Sequence, residues 1–205
     1  SRRPGHDGLV TLARCTDRSA ADWITTSAWP WDRLVNFGPD GFEAYARLRV
    51  IPDPEAEGQR EGDVAPTSPL SEIAQVRIAV ALLAAHTRAA DECYVAWWDG
   101  WGDDVLGVPV GELEAARFEV PYRSYFLFQG SLAGFDAWAT RADGGPGTNR
   151  PAFVWPADHA WCLAFDVDPH WAGVGAAAAA IDDLRADPRL DVVLADPGER
   201  QPAYY

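Results

Sequence analysis

The chain has 205 residues, 48% of them apolar, with 17 basic against 31 acidic side chains and a formal net charge of −14. That length fits one domain, and the apolar content excludes disorder over most of it. All the basic residues are arginine; a charge this negative repels phosphate backbones and anionic membranes, so the expectation is no nucleic acid, no membrane, and a basic protein as the partner the charge favours, with plain solubility as the simpler reason for it.

Ser1 to Gly8 is polar and lacks the apolar core of a signal peptide, which argues against secretion, and His6 falls in this stretch. The absence of Met points to a start that is trimmed or replaced. Cys15, Cys93 and Cys162 are odd in number, widely spaced and without a CxxC pair. Zinc and redox motifs are therefore missing, and the expectation is buried, reduced thiols in the cytoplasm. No apolar run approaches the roughly 18 residues of a membrane span.

In chain order, the first clear element is Phe42 to Ile51, where Phe42, Ala44, Ala46, Leu48 and Val50 alternate with more polar neighbours as in a half-buried strand. Residues 52–69, rich in Pro, Glu and Gly, read as a mobile surface loop within a single domain. Ser68-Pro69 looks like a cap and first helical residue, opening a helix to about Arg88 with Ile73, Val76, Val80 and Leu83 on one stripe. Cys93 to Trp98 reads as a strand, and Pro121 separates two more, Arg117 to Val120 and Ser124 to Gln129. Arg141 to Arg150 is a turn cluster. Phe153 to Trp155 and Ala160 to Val167 form a hairpin around Pro156–His159, with Trp161, Leu163, Phe165 and Val167 on one face of the second strand. Asp168-Pro169 resembles a second cap pair, opening an alanine-rich helix to about Ala186 with Val174, Ala177, Ile181 and Leu184 on its stripe; a last strand runs from Leu190 to Leu194. Strands outnumber helices and hairpins outnumber crossovers, so the expected fold is α+β, a mainly antiparallel sheet with two principal helices packed on it.

Chemistry is sparse. There is no G-x-S-x-G, no P-loop, and Gly173-Val-Gly175 lacks the third glycine of a dinucleotide fingerprint. His86, near a helix end, suits a structural role, and neighbouring Asp158 and His159 in a turn seldom converge on one substrate atom. Asp166-x-Asp168-x-His170 is the one pattern resembling a metal site, because on an extended strand the three share a face; against this, Asp168 has a capping job and His170 falls off the strand. Nothing points to a cofactor or a catalytic set. The most unusual feature is ten tryptophans, three of them within WWDGWGDD. On a strand Trp97 and Trp98 face opposite ways, so one serves the core. The candidate binding residues are Trp98, Asp99, Trp101, Asp103 and Asp104, an aromatic anchor ringed by negative charge; two-sided burial is the competing reading.

Trp155-Pro156-x-Asp158-x-Ala160-Trp161-Cys162, followed by Asp166-x-Asp168 and Trp171-Ala-Gly173-Val-Gly175, resembles a family of uncharacterised actinobacterial proteins with a WPxDxAWC hairpin motif. Tyr94 to Gly102 and Tyr122-Arg123-Ser124-Tyr125 share the likeness, which spans roughly Gly41 onward. It implies a lineage rather than a reaction. A looser likeness in layout links the chain to bacterial immunity proteins, small acidic α+β domains that neutralise toxins. The expected function is thus an intracellular acidic protein-binding module of immunity type; the alternative is a small-molecule binder or metal-assisted hydrolase using Asp166, Asp168 and His170.

Overall fold

The computed structural model describes residues 12–143, 145 and 149–204; His6 lies outside them. The main sheet takes strands β1 (Ala13–Arg14), β2 (Ala44–Arg49), β3 (Cys93–Trp98), β6 (Arg117–Val120), β7 (Arg123–Gly130), β8 (Phe153–Pro156), β9 (Trp161–Ala164), β10 (Trp171–Ala176) and β11 (Val192–Leu194). Their order is β1-β7-β3-β8-β9-β10-β2-β11, with β6 sharing the outer edge of β7 with β1, and all pairings are antiparallel. A two-stranded ribbon, β4 (Asp104–Val105) and β5 (Val108–Pro109), stands apart. The fold is α+β on an antiparallel sheet.

Because strand side chains alternate, each central strand feeds two cores. Ala46, Leu48, Val95, Trp97, Phe126, Phe128, Val154, Trp161, Leu163 and Val174 belong to one. Ala96, Tyr125, Leu127, Phe153, Trp155, Cys162 and Ala164 belong to the other. Three helices cover the first face: α3 (Glu72–Leu83), α4 (Leu132–Ala142) and α5 (Ala178–Ala186). The second is covered by the segment before β2, with α1 (Asp22–Thr25) and α2 (Trp31–Phe37).

Several boundaries differ from expectation. Ser71, not Ser68, caps α3, accepting from the Ala74 N–H at 3.0 Å. α4 starts on a like cap, Ser131 accepting from Gly134 N–H, and buries Leu132, Phe135, Trp138 and Ala139 at helical spacing, so the start of the expected 141–150 turn cluster is helical. The largest correction concerns Asp168-Pro169, which opens no helix. Trp171–Ala176 is a strand, buried at all six residues between β9 and β2, where tertiary pairing overrides its Ala- and Gly-rich composition. Val174 is therefore a strand residue, Ala177 is an exposed cap position, and only Ile181 and Leu184 of the expected stripe are buried helix residues. Ala177 has no capping side chain; the Glu43 carboxylate instead accepts from the Ala178 N–H at 3.0 Å.

The glycines of β10 explain how the second layer sits so close. A Cβ at residue 173 would run into the Asn36 carbonyl oxygen and the Phe37 ring, and one at 175 into the rings of Phe42 and Tyr45. Gly173-Val-Gly175 is a smooth track for α2 and the segment after it, the use of strand glycines where another backbone approaches.

Candidate functional site

One end of the sheet gathers the C-terminal ends of β3 and β9 and the N-terminal ends of β7 and β8. There a chain of rings and guanidinium groups runs from exposed Tyr122 inward to buried Phe165. Tyr122 packs edge-on to Trp31 at 5.3 Å between centroids. Arg123 Cζ lies 5.7 Å from Trp31 and 5.9 Å from Trp98. Trp98 meets Trp101 at 5.5 Å, and Arg150 Cζ lies 5.8 Å from Trp101 and 3.9 Å from Phe165. These are cation–π and edge-to-face spacings.

Carboxylates lock the ladder. Arg123 donates through Nε and Nη2 to both Asp166 oxygens at 3.1 Å, and through Nη2 to Asp168 at 2.8 Å. Asp166 is 4% exposed, and its hydrogen bonds hold the Arg123 guanidinium above its ordinary value against burial. Arg150 donates to the carbonyls of Asp166 and Val167 and pairs with Glu72 at 2.8 Å.

Tyr122 is the outlier on this surface. It is 79% exposed and holds φ at 65° in the two-residue turn between β6 and β7, after Pro121. That place ordinarily belongs to glycine or asparagine, and a tyrosine there stores backbone strain of about 1–2 kcal/mol. An exposed aromatic in a strained backbone is a functional pointer that composition and periodicity do not carry; its only sequence signal is Pro-Tyr in a tight hairpin turn.

The expected binding residues fall around the same end. Trp97 is buried, with its indole N–H on the Asn149 carbonyl at 3.2 Å, and Trp98 faces the opposite core, as alternation requires. Trp101 is half-buried; Asp103 and Asp104 are exposed. Asp99 is not a free charge: it accepts from Ser124 Oγ at 2.5 Å and pairs with Arg117 at 3.0 Å. Trp101 and Asp104 line a cleft of about 410 Å³ with Trp97, Trp138 and Arg141.

A second cleft, about 490 Å³, lies between α2, residues 166–171 and the 197–204 tail. Asp166, Asp168 and His170 all line it, but they do not converge. The first two are held by Arg123, while His170 Nε2 meets Asp53 at 3.1 Å. Residues 166–170 are not an extended strand, so the shared face expected of D-x-D-x-H does not form. Among the described residues no group of three or more His, Cys, Asp or Glu is placed to hold a metal, and this arrangement gives the metal-assisted reading no support. Below the cleft, burial works to raise Asp53, but Arg47, His170 and Arg49 hold its carboxyl down to about 2. Burial holds His170 below its ordinary value although Asp53 works against it.

The other candidates are structural. The Asp158 carboxylate accepts from the Thr87 hydroxyl and the Arg88 N–H, and His159 stacks on Trp23 at 4.0 Å. His86 meets Asp183 at 2.7 Å. Cys15, Cys93 and Cys162 are buried free thiols, and burial pushes Cys93 up to about 12, far from a nucleophile. Among the described residues no helix is long and apolar enough to cross a membrane. No protein-family model, curated protein or solved structure matches the chain.

Proposed function

We propose that the chain is an acidic protein-binding module of the cytoplasm that takes a basic partner, such as a basic toxin, on the ladder end of the sheet. The observation that carries this reading is Tyr122, 79% exposed and held at φ 65° against Trp31. In the segment after β3, Asp103 and Asp104 supply exposed negative charge and Trp101 a half-buried ring. Aromatic anchors slow escape from a complex, and rim charges speed encounter. The buried thiols support a reducing compartment.

The test begins by capturing a partner from lysate of the source cells and measuring both rate constants. Tyr122→Gly should leave stability within about 1 kcal/mol, since relief of strain offsets the lost contact with Trp31. It should raise the dissociation rate at least about tenfold. Asp103→Arg with Asp104→Arg should slow association and flatten its salt dependence. A captured partner whose rates ignore all three changes binds elsewhere, and the reading fails.

A further inference from the structure

The cleft under the tail offers a ligand a one-sided chemistry. Its walls carry the rings of Trp31, Phe37, Trp171 and Tyr204. Five carboxylates line it, those of Asp32, Glu61, Asp166, Asp168 and Glu199, against the guanidiniums of Arg33 and Arg200. Arg123 lies behind Asp166 and Asp168, so the balance remains negative with it included: 5 acidic less 3 basic. Asn36, also in the lining, adds the sharpest signal. Its Oδ1 is buried and has no hydrogen-bond partner, and a buried acceptor left unmatched is costly. Arginines already sit over Trp31 and Trp171, but the carboxylates and the orphaned amide oxygen both ask for the same thing, a cationic N–H donor. At about 490 Å³ the space suits a small molecule rather than a bare ion.

We infer that this cleft is a binding site for a small organic cation, an ammonium or guanidinium group on an aromatic or apolar body. Its body would pack on Trp31 and Tyr204, the two lining rings that are only half-buried, and its N–H groups would turn toward Asn36 and the carboxylates. This goes beyond the proposed protein contact. Trp31, on which Tyr122 packs, is common to both sites, whereas Trp101, Asp103 and Asp104 are not in the lining, so variants there separate the two.

The test uses benzamidinium, with benzamide as its neutral counterpart and benzoate as the anion, followed by tryptophan fluorescence and by the shift in melting temperature. Benzamidinium should saturate with a dissociation constant of about 1 mM or tighter, at least about tenfold below benzamide, with benzoate silent. Asn36→Leu removes an acceptor that has no partner to lose, and Asp168→Asn alters an exposed carboxylate, so both variants should stay folded. Each should weaken benzamidinium about fivefold or more, whereas Trp101→Ala, outside the lining, should not change it. Equal binding of benzamide and benzamidinium would overturn the inference. So would no saturation at about 10 mM, or affinity that neither Asn36→Leu nor Asp168→Asn alters.

Discussion

Gly173→Ala adds one methyl group in the middle of β10, and the structure says what that group meets. The new Cβ would collide with the Asn36 carbonyl oxygen and press on the Phe37 ring, both belonging to α2 and its end. Backbone cannot rotate out of the way as a flexible side chain can, so α2 must lift or β10 must bend. Overpacking of this kind costs about 1–3 kcal/mol, and a clash with backbone belongs at the upper end, near 3 kcal/mol. For a chain of this size that corresponds to a fall in melting temperature of roughly 6–12 °C. Urea denaturation followed by tryptophan fluorescence gives the free energy directly. Gly62→Ala is the control, because a Cβ there meets nothing within 4 Å; it should be neutral or slightly stabilising, by up to about 1 kcal/mol. If Gly173→Ala unfolds at the same urea concentration as the wild type, α2 does not lie on β10 as described, and the geometry of the tail cleft falls with it.

Arg123→Met should cost about 3–5 kcal/mol by urea denaturation, since it strands the Asp166 carboxylate at 4% exposure, whereas Asp168→Ala, at an 80% exposed side chain, should cost less than about 1 kcal/mol. Ala180→Leu should destabilise by about 1–3 kcal/mol at a position 1% exposed, while exposed Ala177→Leu should stay within about 0.5 kcal/mol; equal effects would return residue 177 to the core. Stability should also fall in acid, in two steps. His159 and His170 both titrate below 6.5 when folded, burial being the first cause in each, so the unfolded chain binds more protons and stability drops as pH falls through 6.5. Asp53, held at about 2 against 3.8, adds stability above 3.8 that is lost between 3.8 and about 2. Melting at pH 8, 6, 4 and about 2.5 checks both steps, and a melting temperature that rises from pH 8 to pH 6 in wild type but not in His170→Asn would contradict the sign.

What was legible in the sequence was periodicity of two and the apolar run. β2 lies within the alternating span expected for it, β3, β6, β9 and β11 lie within the spans set by apolar runs between turn residues, and β7 and β8 overrun theirs by a residue at one or both ends. What misled was local cap chemistry. Asp168-Pro169 has the form of a helix start, but the residues after it lie between two strands whose pairing outweighs that signal. The segment before β2 carried no legible period: α1 has four residues and α2 seven, too few turns to show a stripe. WWDGWGDD lies at the end of the sheet where the ladder of rings and guanidiniums forms, but it does not disclose the pairing of Asp99, since its partner Arg117 comes from another strand. Tyr122 and Asn36 matter through a dihedral angle and an unmatched oxygen, and neither property is written in residue type.

The place of β2 in the sheet has a consequence for how the chain comes to be folded. Made before β3, β7, β8 and β9, β2 finds both its neighbours, β10 and β11, only after all of these. Until then its two edges are open and its apolar Ala46 and Leu48 have no strand beside them. Closing so long a loop costs entropy before any pairing rewards it, so this join should form late, after the β3–β7–β8–β9 portion, whose pairings span far fewer residues. The unpaired β2 is then a stretch of nascent chain exposed to edge-to-edge association, and its Arg47 and Arg49, the second still without Asp191, are the charges that keep other strands from docking there.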